Sequence, residues 1–586
     1  MKKFRYKYSL PMLISTLVLV YACSKNFTDI VPAGSISPSV LANKNGVSGL
    51  LVGAYAMLDG SSGAGNSNGN WANASSNWVY GSVIGDDARK GSDPGDQPAI
   101  TPLENWNANA ANTYLNDVWS ARFDGVQRAN DVLRTMRLAT DMTTEDTVQA
   151  AAEARFLRGH YHFDLKKIFG KIPFVDEGIT YSLNNWRVSN SADAWPLIEA
   201  DFQYAYDNLP ETQSQIGRAN KWAAAAFLAK AYMFQKKYAA ALPILNAIMT
   251  NGKTSGGAKY ALTANFADNF NPAKKNSAES VFAVQSSIND GSGAGNANPG
   301  DVLNFPYGGG PGTCCGFFQP SISLVNAYKV DGNGLPLFTT YNNSDLKNDQ
   351  GISSDAPYTA DNTTPVDPRL DWSVGRRGIP YLDWGLMPGQ SWIRNQGSAG
   401  PFIAIKNVYY KSQEGVLTDN SSWTSGYTAN NVNLIRYADV LLWAAECEVE
   451  VGSLDNAQAL VNQVRNRNTA PSTWVQGSVA NYKIGLYPAG TFTTQGQAYA
   501  RTAVRFERRL ELAMEGHRFF DLARYEPGVA ATELNAFAAH ELASGYTLKV
   551  GAVFTAGKNE VLPIPQQQID LSSVDGSPTL SQNPGY

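Results

Sequence analysis

The stretch Val504–Tyr525, VRFERRLELAMEGHRFFDLARY, is more informative about fold than any other part of this 586-residue chain. Phe506, Leu510, Ala513 and Met514 stand at i, i+4, i+7 and i+8, which makes an apolar helical stripe. Arg508 and Glu511 are i, i+3 neighbours on another face, close enough to pair. Gly516 offers the positive φ that commonly ends a helix, so the helix is predicted to stop there. Glu515 and His517 make a nominal acid and base. A single histidine without a second positioned partner reads as structural, and the segment as a brace for the fold.

Further on come Leu562-Pro563-Ile564-Pro565, Ile569 and the end Gln582-Asn583-Pro584-Gly585-Tyr586. Together with Glu507-Arg508-Arg509, Glu511-Leu512-Ala513, Glu515-Gly516-His517-Arg518, Phe520-Asp521-Leu522 and Arg524, this pattern resembles the SusD/RagB family. The resemblance implies a mainly α fold: a tetratricopeptide-like scaffold of helical pairs with large irregular loop insertions. It also implies a cell-surface lipoprotein, not an enzyme, that captures oligosaccharides and passes them to a partner SusC-like TonB-dependent transporter, closing over it like a hinged lid. A peptide ligand, as in the RagB branch, is the alternative. A lipidated surface glycoside hydrolase is a more distant one, and it would require paired carboxylates or a nucleophile beside the aromatic loops.

Composition fits a large exported globular protein, with 43% apolar, 11% aromatic and 17% charged residues, enough to bury a sizeable core. Of 47 basic residues, Lys2, Lys3, Arg5 and Lys7 belong to the leader; the other 43 face 51 acidic ones, a net charge of −8 that argues against a nucleic-acid partner. Residues 1–22 read as a signal peptide: a basic start, then an apolar run from Leu10 to Val20 that is too short to span a bilayer. Leu19-Val20-Tyr21-Ala22-Cys23 resembles a lipobox, which makes Cys23 the expected lipid anchor; the SusD/RagB resemblance implies that it sits in the outer membrane, facing the cell exterior. Residues 23–270 and 271–586 are expected to form N- and C-terminal parts of one compact unit.

Two stretches resemble tetratricopeptide units. In Ala226–Met249 the first helix carries Leu228, Ala229, Ala231 and Tyr232 and the second Tyr238, Ala241, Leu242 and Leu245, with Pro243 a blemish unless it lies in the first turn. In Leu434–Arg465, Tyr437, Val440, Leu441 and Ala444 face Ala457, Leu460, Val461 and Val464 across a break at Gly452. Fainter echoes occur at Leu51–Tyr55 and Phe156–Tyr161. The irregular spacing predicts a helical scaffold with insertions rather than a uniform solenoid.

Binding is expected on the insertions. Residues 60–77, 291–316 and 355–427 are rich in Gly, Ser, Asn and Pro and belong on the surface. They and their flanks carry Trp71, Trp78, Trp106, Tyr307, Phe317, Phe318, Trp372, Tyr381, Trp384 and Trp392. Sugar rings stack their C–H faces on such rings, and their hydroxyls need Asn, Asp, Lys or Arg. Trp106 with Asn109 resembles the family's glycan-contacting arrangement, with Asp87 and Lys90 at the rim and Tyr307, Trp372 and Trp384 as further platforms.

No cofactor or metal is called for. Beyond Cys23 there are Cys314, Cys315 and Cys447; the adjacent pair reads as loop thiols or a vicinal bridge, and Cys447 as a small core residue. Gly65-Asn66-Ser67-Asn68-Gly69 matches G-x-S-x-G but sits in low-complexity sequence without a preceding strand. His160 and His162, two apart on a helix, point away from each other, which argues against a shared metal.

Overall fold

The computed structural model describes residues 38–61 and 68–586. The leader, Cys23 and most of the G-x-S-x-G match lie outside the described residues. The scaffold is a series of helices in which each packs against the next. After α1 (Lys44–Ala56) come α2 (Thr113–Met136), α3 (Thr144–Phe169), α4 (Trp195–Asn208), α5 (Lys221–Phe234) and α6 (Tyr238–Asn251). The series continues in α7 (Tyr437–Val451) and α8 (Leu454–Asn466), with α9 (Gln497–Leu512), α10 (Arg518–Arg524) and α11 (Val529–Ala543) packed behind. Among the described residues no helix is long and apolar enough to cross a membrane.

Start signals explain the helix boundaries. The Asn112 side chain accepts from Tyr114 N–H, Thr143 and Asp146 form a reciprocal capping box, and Asn220 and Ser453 accept from Ala223 and Asn456. The two repeat-like units are the pairs α5/α6 and α7/α8, and Val440, Leu441, Ala444, Ala457, Val461 and Val464 are all fully buried. Pro243 lies inside α6, beyond its first turn. It sits on the exposed face, so the Ala239 carbonyl it leaves without a donor faces water.

The closing motifs are a mutual clasp. Leu562 N–H donates to Ile168 C=O (2.8 Å), and the Asn583 amide donates to Phe169 and Leu562 carbonyls (2.6 and 2.8 Å), so both motifs finish the C-terminal end of α3. Gln582 exchanges two hydrogen bonds of 2.8 Å with the Ile564 backbone.

Two excursions leave the scaffold. One, between α1 and α2, contains β1 (Ala88–Gly91). The other runs between β2 (Ser280–Val284) and β4 (Val432–Arg436), which pair antiparallel beside α5, and contains β3 (Phe317–Pro320). β1 and β3 pair antiparallel, with Ala88 opposite Pro320 and Gly91 opposite Phe317, so the excursions are joined at their bases. One sheet, β1 with β3, therefore joins a strand of the N-terminal part to a strand of the C-terminal part.

The signature segment differs from its reading in two respects. Helix α9 ends at Leu512, ahead of Gly516, and both Met514 and Gly516 take positive φ, 61° and 75°. Its charged face is buried, and Arg508 and Glu511 do not pair with each other. Arg508 pairs with Asp521 (3.1 Å) and Asp439 (3.5 Å), while Glu511 takes Arg369 (2.8 Å), Arg436 (2.6 Å) and Arg467. The expected Arg508–Glu511 pair gives way because each side chain meets a full-charge partner from another element in the interior, where such pairs are stronger.

His160 and His162 are buried on α3, and burial pulls both down to about 3. The His162 geometry is that of a neutral ring: Nε2 accepts from Val175 N–H (3.1 Å), which leaves Nδ1 to donate to Arg158 C=O (3.0 Å). Below the unfolded value of about 6.5 the unfolded chain binds two protons that the fold refuses, so stability falls as pH drops. A loss on the order of 3 kcal/mol per histidine is expected by about pH 4. Thermal midpoints measured from about pH 7 to pH 4 check this; a flat profile down to about pH 4.5 would sink it.

Candidate functional site

The surface built where the two excursions meet is organised around the loop from Tyr307 to Gly316. The β1/β3 pairing extends by one hydrogen bond, Ser92 N–H to Gly316 C=O at 2.5 Å, and Gly316 N–H returns to Phe305 C=O at 2.8 Å. The glycines between have a packing reason. A Cβ on Gly309 or Gly310 would lie 2.6 and 2.7 Å from atoms of the Trp392 indole, so only bare backbone can run across that ring. Tyr307 N–H donates to Trp392 C=O (3.0 Å), Thr424 Oγ1 donates to Gly312 C=O (2.5 Å), and Gly312 N–H donates to the Tyr409 hydroxyl (3.0 Å). Cys314 and Cys315 form a vicinal disulfide in the same loop.

On this base Tyr307 is 39% exposed, with the Arg394 guanidinium 5.3 Å from its ring centroid. Arg394 Nη1 meets Asp96 Oδ2 at 2.5 Å and donates to Ser92 Oγ at 3.0 Å; the two charged side chains are about one third exposed. Lys90 is fully buried below and donates to the carbonyls of Asp93 (2.9 Å), Pro94 (3.2 Å) and Asp96 (2.6 Å), fixing the turn that carries Asp96. Burial lowers the Lys90 pKa, and nearby Glu104 and Asp96 oppose that shift. On the neighbouring loop Trp423 is 56% exposed, and its Nε1 donates to Tyr427 OH (3.1 Å). An apolar ring flanked by a planar cation, a carboxylate and a hydroxyl can stack one face of a ring-shaped ligand and hydrogen-bond its edge.

Of the residues singled out from sequence, Tyr307 belongs to this surface, and Lys90 supports it from beneath. Trp106 is a core side chain, 6% exposed: its positive φ of 58° turns the indole inward, where Nε1 donates to Ile84 C=O (2.7 Å). Its ring meets Phe554 edge-on (5.6 Å) under the Lys549 ammonium (4.4 Å), leaving no free face for a sugar. Asp87 is buried opposite Arg509 (3.5 Å); burial raises its carboxyl to about 6 although Arg509 opposes this, so it too is structural. Asn109 is exposed, but its Oδ1 accepts from Ala111 N–H (2.9 Å) in the turn before α2. Trp372 and Trp384 are half-buried anchors, each donating its indole N–H to a backbone carbonyl, Thr473 (2.9 Å) and Tyr409 (3.1 Å).

Sequence reading missed Arg394, Asp96, Ser92 and Trp423. A cation and a carboxylate so far apart in the chain give no local signal of being paired. Among the described residues no group of three or more His, Cys, Asp or Glu side chains could hold a metal ion. Cys447 is buried against Met233, and burial pushes its thiol well above the usual range.

Helix pairs supporting two joined excursions define a helical-repeat protein whose exposed polar-aromatic surface is carried by insertions. The family model described as "SusD family" matches residues 278–586, and the one described as "Starch-binding associating with outer membrane" matches residues 65–233. The chain belongs to the SusD family. A SusD-like protein of Formosa agariphila is 25% identical over 439 residues, 73% of this chain and 74% of that relative. One from Bacteroides ovatus is 34% identical over 122 residues, 20% of this chain and 22% of its own. Among solved structures, a laminarin binding SusD-like protein superposes with a TM-score of 0.63 at 24% identity, covering 93% of this chain and 100% of its own. Surface glycan-binding protein A from Bacteroides thetaiotaomicron, solved in complex with laminarihexaose, gives 0.62 at 21%, covering 92% and 99%. These two likenesses show a shared fold.

Proposed function

We propose that this protein is a non-catalytic cell-surface receptor that captures oligosaccharides on the Tyr307 surface. From there it hands them to a SusC-like TonB-dependent transporter in the outer membrane, to which Cys23 tethers it by lipid. The observation that carries the reading is the exposed Tyr307 ring flanked by the Arg394–Asp96 pair: a stacking plane with charged hydrogen-bonding groups at its edge. Glycan binding by related proteins of the same fold supports it, as does the outer-membrane description of the matching family model.

Tyr307→Ala is expected to weaken binding about 10-fold, the equivalent of about 1.4 kcal/mol for one stacking contact. The thermal midpoint should stay near that of the wild type, because the ring is exposed. The measurement is retardation in native gels containing laminarin, soluble starch, xylan or pectin, with gently solubilised membranes probed in parallel for a co-purifying barrel protein. Unchanged retardation of the folded variant would remove Tyr307 from the site. Failure of the wild type to bind any of the four would overturn the carbohydrate reading.

A further inference from the structure

A second aromatic surface lies on another part of the fold. Between α3 and α4 the chain from Gly178 to Arg187 forms a loop beside α2, and a cleft of about 400 Å³ opens between them. Tyr181 on its wall is 80% exposed, in a protein that otherwise keeps most of its large aromatic side chains inside. The Tyr181 and Trp186 rings lie 5.3 Å apart at 47°, and the Arg187 guanidinium is 3.8 Å from the Trp186 ring centre. Across the cleft, α2 presents Gln127, Asp131 and Arg134 beside Phe123 and Val126, and the chain after α3 adds Val175, Ile179, Thr180 and Ser182.

The loop is held in shape although its aromatic ring is not covered. Thr180 N–H donates to Asn185 Oδ1 (2.8 Å), and Asn185 Nδ2 to Gly178 C=O (3.0 Å). Arg134 Nη1 reaches the carbonyls of Glu177 (3.2 Å) and Ile179 (3.4 Å), while its Nη2 pairs with Asp131 (2.7 Å). An exposed ring on a pre-formed loop loses little conformational freedom on binding, the condition under which stacking yields affinity. The chemistry repeats that of the Tyr307 surface with different residues: an exposed tyrosine, a stacked arginine and an Arg–Asp pair.

We infer that the Tyr181/Trp186 cleft is a second carbohydrate-binding site, taking a ring of the same glycan chain that the Tyr307 surface takes. The inference rests on the carbohydrate reading above. A concavity that sets aromatic and aliphatic side chains beside hydroxyl, amide and charged groups fits a polyhydroxylated ring, whose C–H faces pack on apolar surface while its hydroxyls bond the polar groups. Two sites on one chain raise the apparent affinity for a long glycan far more than for a short one, because the second contact becomes intramolecular.

The test uses the full chain, a polysaccharide that retards it in native gels, and the corresponding hexasaccharide in isothermal titration. Wild type should bind two hexasaccharides; Tyr181→Ala, Trp186→Ala and Tyr307→Ala should each keep one site at wild-type affinity and weaken the other about 10-fold, and the Tyr181→Ala/Tyr307→Ala double variant should weaken both. Retardation by the polymer should fall at least several-fold in Tyr181→Ala at an unchanged thermal midpoint. A wild-type stoichiometry of one that Tyr181→Ala leaves intact overturns the second site while sparing the first. Loss of a co-purifying barrel protein in Tyr181→Ala with glycan binding intact makes this a docking face and also overturns it. A wild type that binds none of the polysaccharides removes both readings together.

Discussion

Glu511→Ala is expected to destabilise the protein by on the order of 3–5 kcal/mol, a large part of the roughly 5–15 kcal/mol that holds a typical domain together. Glu511 is fully buried at the centre of a network in which Arg369, Arg436, Arg465, Arg467 and Lys406 face Asp367, Glu279, Glu507, Glu511 and Glu515. Burial alone would raise the Glu511 pKa; Arg467, Arg436 and Arg369 outweigh it and hold the carboxyl well below the usual range. With five charges of each sign the network is balanced, and deleting one carboxylate leaves an uncompensated cation without access to water. Breaking a buried pair from one side is costly even where the intact pair adds little net stability. Glu526→Ala is the control: its partner is Arg505, but its carboxylate is 48% exposed, and such pairs contribute about 0–1 kcal/mol. Denaturant titration of both variants decides the matter. If Glu511→Ala loses no more than Glu526→Ala, the network is not what fastens α9 to its neighbours.

That network also explains which parts of the fold the sequence revealed. The helical scaffold was legible because α6 and α8 bury one face with a 3.6-residue period and the alanine-rich, largely apolar α5 and α7 are buried almost all round, both local properties of the sequence. The role of the ERR and ELA charges was not, because the partners of Glu511 stand 142, 75 and 44 residues away. A charged face that is neutralised from three other elements looks, in one dimension, like a solvated one. The site divides in the same way. Gly- and Asn-rich loops announce a surface, and Tyr307 was found on one. Whether a given tryptophan points out or in depends on backbone angles such as the positive φ of Trp106, and composition does not carry those. Tyr181 and Trp186 escaped because their loop, between two long helices, lacks the glycine density that marked the others.

The second large effect is expected at Gly516, where Gly516→Ala should cost on the order of 3–5 kcal/mol. Its φ is +75°, and a Cβ would stand 1.9 Å from Ser76 O and 3.2 Å from the Asn77 carbonyl carbon. The approach is reciprocal: a Cβ on Gly81 would stand 1.8 Å from Gly516 O, and Gly516 N–H donates to Ser82 Oγ at 3.2 Å. Here the turn after α9 and the chain leading into β1 touch backbone to backbone, so neither strand of atoms can yield as a flexible side chain would. The two positions form the joint between the signature segment and the excursion that carries Ser92 and Asp96. Gly528→Ala separates strain from crowding, since Gly528 has a φ of +89° but nothing within 4 Å of its Cβ. It should cost only the left-handed penalty of about 1–2 kcal/mol. Equal losses in the two variants would mean that backbone strain accounts for everything and that the close approach contributes nothing. A larger loss at Gly516, together with weakened glycan retardation of whatever fraction folds, would show that the joint sets the position of the Tyr307 surface as well as the stability of the fold.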